Sequence, residues 1–390
     1  MTSARTSLWI GTYPEAGAGT PAGLGEGVWR VDVDAASGLL AAAELVAVTP
    51  SPSFVATHPS GRVLYAVGEL AAGTVTAFSV PDVSGELPDQ PIHGDPTAPS
   101  PALRGLAVLD VVASGGADPC HLLLAPDART LYVANYSSGT LGVLPLDADG
   151  RFTAQVRAEG GPVQVWGHEG SGPDASRQEA PHAHFAAITP GGRFVVVADL
   201  GTDELRRYAR DPATGLLSAA GIAATLPPGT GPRHLVFAPD GRTAYVVGEL
   251  DVSVCVLAWE PGTASGTLVQ QLPAGPSLDL QDTEQGGTGD GRRVLPSHVE
   301  LDGDRLLVAV RTSDVLVGYA VTADGTLVAE GVTALPAAWP RHFALVDGTV
   351  VVAAQVGDAL VALRPGDAAA GWVVSSVLPL PAPACVVRVV

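Results

Sequence analysis

The segment GPRHLVFAPDGRTAYVVGEL, residues 231–250, contains the unit on which this chain is built. An apolar strand that begins after Gly231 leads into the turn Pro239-Asp240-Gly241-Arg242, and a second apolar strand follows at residues 244–249. Asp-Gly between two short apolar runs is typical of a β-hairpin, because glycine accepts the positive φ that a tight turn requires. The segment therefore predicts two adjacent antiparallel strands.

This pattern recurs along the chain. Further strands follow each hairpin, and no segment with helical periodicity separates them. A four-stranded unit that repeats in this way is typical of the blades of a β-propeller. The equivalent turns lie at residues 58–62, 125–129, 189–193, 301–305 and 345–349, and the strands after them at 64–69, 131–136, 194–199, 306–311 and 350–355.

The two ends of the chain together supply one more unit. Residues 8–13, 27–33 and 39–48 match the second to fourth strands of a blade, and residues 384–390 form an unassigned strand. We expect the C-terminal strand to join the N-terminal strands, which closes the ring and removes its open edge. The prediction is an all-β, seven-bladed β-propeller with four-stranded blades, formed by residues 1–390 as one domain. A pair of β-sandwiches or a β-helix is the alternative.

Three segments interrupt the repeat, at residues 82–117, 160–181 and 272–293. We interpret them as loop insertions, and loops on a rigid scaffold often carry function. The second insertion contains several charged and polar side chains, among them Arg177 and Gln178. The role of the first and third insertions stays open, since both are polar and rich in glycine and proline.

Composition excludes several functional classes. The net charge of −19 disfavours binding to nucleic acid or to an anionic membrane. All 21 basic residues are arginine, which excludes a Schiff-base lysine and a lysine-containing phosphate loop. The sequence has no apolar run long enough for a transmembrane helix, and its first residues lack a signal core. With three widely spaced cysteines, these features favour a cytoplasmic protein.

The first strand of each propeller blade lines the central channel, so aligning the units on their turns predicts the side chains that face the axis. The alignment gives one layer, a second layer one residue further along, and a third set at the ends of the second strands. The first layer is Ser53, Cys120, His184, Arg233, Arg341 and either Ser297 or His298; the second is Phe54, His121, Phe185, His234 and His342; the third is Tyr13, Glu69, Tyr136, Asp199, Glu249, Arg311 and Gln355.

The presence of charged side chains at equivalent positions of apolar strands requires an explanation, because burying a charge costs free energy unless it is paired or solvated. His184 and Glu249 supply a base and a carboxylate, and Arg233 and Arg311 supply fixed cations. This set is suited to acid–base chemistry on an anionic carbonyl compound. A structural ring of salt bridges is the alternative. We expect a solvated funnel, in which loss of Arg233 changes stability little.

A metal site is disfavoured at the His182-Ala183-His184 motif. Residues i and i+2 of a strand share a face, so the two imidazoles could chelate an ion. The sequence offers no third ligand nearby, however, and two arginines in the same layer oppose a cation. We therefore predict neither a metal nor another cofactor.

Several motifs resemble those of a known family: Asp118-Pro119-Cys120-His121, RQEAPHAH at residues 177–184, Gly231-Pro232-Arg233-His234 and Gly248-Glu249-Leu250. Together they resemble the seven-bladed β-propeller lactonases, the family of bacterial 6-phosphogluconolactonase and fungal 3-carboxymuconate lactonizing enzyme. The resemblance implies a site made of a histidine from the His182/His184 motif with Arg233, Glu249 and Arg311, and no required metal. Val310 and Ala354 stand where the family usually has asparagine, which leaves the substrate contacts of those blades open.

We expect a lactone hydrolase of carbohydrate metabolism that acts on a sugar-acid lactone such as 6-phosphogluconolactone. In this hypothesis His184 or Glu249 deprotonates water, while Arg233 and Arg311 hold the anionic group and the developing oxyanion. The alternatives are a carboxymuconate-type lactonizing cyclase and a non-enzymatic binding scaffold. The expected partner is a small anionic lactone or carboxylate, and the protein is expected to be a monomer or weak dimer. The candidate substrate-binding residues are His182, Arg177, Gln178, His234, His298, Arg341 and Gln355.

Overall fold

A computed structural model describes residues 5–13, 25, 27–81, 105–275, 293–366 and 371–390. These residues form seven four-stranded antiparallel sheets and one short helix, α1 (Ala154–Glu159). The predicted seven-bladed β-propeller is confirmed. No helix in the described ranges is long and apolar enough to cross a membrane.

Six blades are continuous in sequence and one combines both ends of the chain. The composite blade contains β1 (Arg5–Thr12), β2 (Gly27–Asp34), β3 (Leu40–Val48) and β28 (Pro383–Arg388). The others are, in order, β4 (Val55–Thr57), β5 (Val63–Gly68), β6 (Thr74–Ser79) and β7 (Ala107–Ala113); β8 (Pro119–Leu124), β9 (Thr130–Asn135), β10 (Thr140–Pro145) and β11 (Gln164–Gly167); β12 (Ala183–Ile188), β13 (Phe194–Asp199), β14 (Glu204–Arg210) and β15 (Leu217–Thr225); β16 (Pro232–Phe237), β17 (Thr243–Gly248), β18 (Ser253–Glu260) and β19 (Ser265–Pro273); β20 (Leu295–Asp302), β21 (Arg305–Arg311), β22 (Val315–Val321) and β23 (Leu327–Ala334); and β24 (Pro340–Val346), β25 (Thr349–Ala354), β26 (Ala359–Pro365) and β27 (Trp372–Pro379).

Ring closure occurs as predicted. Strand β28 pairs antiparallel with β1, with Leu8 opposite Arg388 and Gly11 opposite Cys385. The edge of β1 that would otherwise be open is therefore paired. Because β28 is the innermost strand of its blade, it also contributes to the channel wall.

Two of the predicted insertions contain outer strands. Ala107 of β7 pairs with Ser79, and Gln164 of β11 pairs with Val143, so these segments complete their blades. The prediction of loops there is wrong because outer strands are half exposed and lack the long apolar runs of inner strands. The remaining predictions for the insertions, at residues 82–104 and 276–292, lie outside the described residues.

The hydrophobic core is divided among the interfaces between blades. Each of the seven interfaces holds its own cluster of buried apolar side chains. Strand β5 shows the cause: Val63, Tyr65 and Val67 pack against one neighbouring blade, while Leu64 and Ala66 pack against the other. Successive residues of a strand point to opposite faces, and neighbouring blades cover both faces of a second strand such as β5. The second strands are therefore apolar over most of their length.

Tyrosines at the same position of three second strands tie neighbouring blades together. Tyr65 donates to the Gly150 carbonyl, Tyr132 to Gly215 at 2.7 Å, and Tyr245 to Gly325 at 2.9 Å. Each acceptor glycine has a positive φ and lies in the turn after the third strand of the next blade. Each bond thus joins a second strand to a turn of the next blade and helps to hold the blades in register.

Candidate active site

A repeated β-bulge aims side chains into the channel. The inner strands of five blades shift register at the residue predicted to face the axis. A bulge places two residues opposite one and redirects a side chain. The repeated bulge puts Ser297, and not His298, in the first layer, and it assigns Ala384 of β28 to the same layer. The shifts fall at Cys120, His184, Arg233 with His234, Ser297, Arg341 and Ala384.

The second layer is a closed ring of aromatic side chains, here called the ring layer. Its neighbouring ring centroids lie between 3.9 Å, for His298 and His342, and 5.6 Å, for Phe54 and His342. His234 and His298, both predicted to bind substrate, belong to this buried layer. They lie one residue beyond the first layer, next to each other. The ring runs Phe54, His121, Phe185, His234, His298 and His342.

Glu249 lies at the centre of an arginine cluster. It follows β17 and accepts from Arg311 Nη2 at 2.5 Å and from Arg177 Nη2 at 2.7 Å, and Arg233 Nε lies 2.8 Å from its Oε2. Burial raises the pKa of Glu249, but the charges of Arg311, Arg177 and Arg233 outweigh this effect and hold the pKa well below its usual value. Glu249 is therefore a carboxylate at neutral pH and a very weak base.

Arg233 and Arg311 are buried, and the expectation of a solvated funnel around them is wrong. Arg233 is 2% exposed and donates to the Ser297 carbonyl, while Arg311 donates to the Leu295 carbonyl at 3.1 Å. Burial, followed by the charge of Arg311, lowers the pKa of Arg233 to about 9. Both guanidinium groups are cations at neutral pH. Arg311 also lies under the Trp339 ring, 5.4 Å from its centroid.

His184 is a neutral imidazole at the same rim. Burial, followed by the charge of Arg233, holds its pKa well below the usual value. Its Nδ1 lies 4.0 Å from Cys120 Sγ, and the Tyr136 ring packs edge-on at 5.6 Å. Within the described part of the chain, no group forms a hydrogen bond with His184 Nε2. This nitrogen is free to accept a proton.

His182, like His184, packs against Tyr136. Its ring stacks on Tyr136 at 4.4 Å, and its Nε2 lies 3.3 Å from Glu179 Oε1. Its backbone amide donates to Asp199, which also holds His168 at 2.5 Å. No three histidine, cysteine or acidic side chains of the described ranges are grouped to hold a metal ion.

Gln178 is fully buried, and its side-chain amide is used by the protein. Its Nε2 donates to Leu200 and Asp203, and its Oε1 accepts from the Asp174 amide. These bonds hold the loop that carries Arg177. The geometry therefore favours a positioning role over the direct substrate contact predicted from sequence.

Arg341 forms a second group with Gln355 and Glu69. Its Nη1 lies 3.3 Å from Gln355 Oε1, and its Nη2 lies 3.7 Å from Glu69 Oε1. Tyr13 donates to Glu69 at 2.5 Å and places its ring 4.9 Å from the Arg341 guanidinium. Tyr13 and Glu69 were aligned with the rim from the sequence but were not included in the predicted site. Trp339 was not predicted, although the motif Trp339-Pro340-Arg341 at the start of β24 is a signal for it.

Four arginines surround the two central carboxylates of the channel mouth. Arg177, Arg233, Arg311 and Arg341 against Glu69 and Glu249 give these two clusters a balance of +2, from 4 − 2, while Glu179 and Asp199 carry negative charge beside His182. A local excess of cations attracts anions. The site is thus suited to a small anionic compound.

Comparison with known proteins agrees with the predicted fold and family. A family profile described as "Lactonase, 7-bladed beta-propeller" matches residues 7–388. The chain belongs to this lactonase family. The 6-phosphogluconolactonase of Bacillus subtilis is 29% identical over 383 residues, which cover 97% of each protein. The 6-phosphogluconolactonase of Pectobacterium carotovorum is 35% identical over 218 residues, 55% of this chain and 57% of that protein. A periplasmic gluconolactonase of Pseudomonas aeruginosa shares the lactonase fold with a TM-score of 0.82 and 27% identity, over 99% of each chain.

Proposed function

We propose that this lactonase hydrolyses the lactone of a sugar acid, such as 6-phosphogluconolactone. The observation that carries the proposal is the clamp of three arginines on Glu249 beside the neutral His184. The names of the Bacillus and Pectobacterium relatives support the phosphorylated substrate. The excess of arginines over carboxylates around Glu69 and Glu249 supports any anionic lactone.

In the proposed reaction, His184 Nε2 takes a proton from a water molecule that attacks the lactone carbonyl. The carbonyl oxygen becomes an oxyanion, which Arg233 and Arg311 stabilise as fixed cations. When the ring C–O bond breaks, the imidazolium returns its proton to the departing alkoxide. The new carboxylic acid then ionises, so each turnover at neutral pH releases one proton.

Glu249 has an electrostatic role in this scheme. Arg311, Arg177 and Arg233 hold its pKa well below the usual value and contact its carboxylate oxygens, which disfavours Glu249 as a base. It fixes the two catalytic guanidinium groups, which would otherwise repel each other. Of the clamp, Arg177 has the most exposed side chain, at 22%, and so is suited to contact the anionic group of the substrate. Arg341, Gln355 and His182 are proposed to bind its remaining polar groups.

A substrate panel tests the proposal. The purified protein is given 6-phosphogluconolactone, unphosphorylated gluconolactone and a carboxymuconate, and both acid release and ultraviolet absorbance are recorded. Acid release from the lactones, faster for the phosphorylated one, is the expected result. Loss of diene absorbance without acid release from lactones would instead identify a lactonizing cyclase. No reaction with any compound would favour the scaffold alternative.

A cytoplasmic protein that is a monomer or weak dimer is part of the same proposal. The three cysteines are unpaired and buried, as expected in a reducing compartment. Fractionation of the native host against cytoplasmic and periplasmic marker enzymes tests the location, and light scattering tests the oligomeric state. Recovery with the periplasmic marker would overturn the location.

A further inference from the structure

Below the arginine cluster, three side chains form a hydrogen-bonded chain along the channel wall. His234 Nδ1 lies 2.8 Å from His298 Nδ1, which joins two neighbouring blades. His298 Nε2 lies 3.3 Å from Glu300 Oε1, and Glu300 Oε2 accepts from the Leu345 amide at 3.2 Å. The upper end of the chain is close to the candidate base, since the ring centroids of His184 and His234 are 5.3 Å apart.

Other histidines of the ring layer lack this arrangement. His121 Nδ1 accepts from the Ala186 amide at 3.2 Å, and His342 Nδ1 accepts from the Val386 amide at 3.4 Å. A backbone amide can only donate, so it fixes the tautomer of each ring. Both nitrogens of His298, in contrast, face groups that can give or take a proton. The tautomers of His234 and His298 are therefore linked to each other and to Glu300.

We propose that Glu300 is a positioning residue that accepts protons from the active site through His298 and His234. With Glu300 ionised, His298 carries its proton on Nε2 and His234 carries its proton on Nδ1. A proton that reaches His234 Nε2 moves the Nδ1 proton to His298 Nδ1, and the His298 Nε2 proton passes to the Glu300 carboxylate. One proton thus enters at His234 Nε2 and one is held on the Glu300 carboxyl group. No imidazolium ion accumulates on either histidine.

The surroundings of His234, His298 and Glu300 favour proton transfer towards Glu300. Burial raises the pKa of Glu300 to about 7, so it can take up and release a proton at neutral pH. Its side chain is 31% exposed, which gives the proton a way out to solvent. Burial and the charge of Arg233 lower the pKa of His298 to about 3 and that of His234 well below its usual value. Both rings are thus neutral carriers.

Few titratable groups face His234, His298 and Glu300. His234 faces His184, His121, His342 and Arg233, while His298 faces His342, stacked at 3.9 Å, and Arg233. In the described ranges, the imidazole of His298 is the one titratable group in contact with the Glu300 carboxyl. A change near neutral pH in the tautomers of His298 and His234 therefore reports on Glu300. The supply of a proton by turnover rests on the proposed function, whereas the linked tautomers do not.

Nitrogen-15 NMR of the imidazoles in the ligand-free full chain tests the link directly. Between pH 9 and pH 5 the proton of His298 should move from Nε2 to Nδ1, and that of His234 from Nδ1 to Nε2, in one transition near pH 7. Glu300→Gln should remove this transition, whereas the matched Glu330→Gln, in outer strand β23 of the same blade, should keep it. Fixed tautomers in the unmodified protein, or a transition that persists in Glu300→Gln, would overturn the proposal. The first result needs no variant to fold.

Kinetics give a second readout. Glu300→Gln should lower kcat roughly tenfold, less than the 10²–10⁴-fold of a direct acid–base group, with KM unchanged. It should also remove any inflection of kcat near pH 7. An unchanged kcat and pH profile would overturn the relay. Absence of lactone turnover in the unmodified protein would refute the proposed function alone, because the NMR transition would still be observed.

Discussion

Replacement of Glu249 by glutamine tests whether the arginine cluster depends on its central charge. The change keeps the shape of the side chain but leaves Arg177, Arg233 and Arg311 without their shared carboxylate. Glu249 is 2% exposed, so solvent cannot replace the lost charge. Removing one partner of a buried ion pair costs about 3–5 kcal/mol. With an unfolding entropy of about 2.1 cal/mol/K per residue over 390 residues, the melting temperature should fall by about 4–6 °C.

Thermal unfolding by circular dichroism, supported by calorimetry, measures this shift. Glu330→Gln is the matched control, because Glu330 pairs with Arg305 at 2.7 Å but is 35% exposed. Exposed pairs contribute about 0–1 kcal/mol, so the control should melt close to the unmodified protein. Addition of Arg233→Met to Glu249→Gln should recover part of the loss, since one uncompensated cation is removed.

The pH dependence of the loss follows from the depressed pKa of Glu249. A carboxyl whose pKa is lower in the folded state stabilises the protein fully above its unfolded pKa, about 4.3 for glutamate. That contribution disappears as the pH falls from there through the folded pKa. The difference between the two proteins should therefore be constant from pH 8 to about pH 5. A melting temperature within 1 °C of the unmodified protein at pH 7 would contradict the dependence of a buried arginine cluster on the Glu249 charge. It would instead support the solvated funnel expected from the sequence.

Three further predictions concern the base, the ring and the interfaces. His184→Gln should reduce kcat by about 10²-fold or more, whereas His182→Gln should mainly raise KM; the reverse pattern in steady-state kinetics would exchange their roles. The lowered pKa of His184 also places the acidic limb of its rate profile below pH 6.5, with no His184 inflection above it. Deletion of residues 384–390 should cause aggregation or a large loss of thermal stability, and a monomer with unchanged melting would contradict closure by β28. Tyr132→Phe should cost about 1 kcal/mol in denaturant unfolding, by loss of its bond to Gly215; no change would mean that the bond contributes nothing.

The layers of the channel were predictable because each unit carries its own hairpin turn. The turn fixes the register of the first two strands, so equivalent residues can be aligned without a structure. The bulge did not disturb this alignment, since it recurs at equivalent positions of five blades, Cys120, His184 and Arg341 among them. The composite blade followed from the same count.

The burial and the partners of each polar side chain depended on tertiary structure. Burial of Arg233, the three ion pairs of Glu249 and the internal use of Gln178 arise from residues far apart in sequence that ring closure brings together. The outer strands β7 and β11 were not predicted, because one face of each strand is solvated. The sequence alone determined the repeat, the number of blades and most residues of the channel layers, because those depend on local turns and periodicity, whereas the bulge decided between Ser297 and His298 and added Ala384. Which of these residues pair, and hence which are charged or neutral, only the closed ring decided, because pKa values depend on burial and on charges in neighbouring blades.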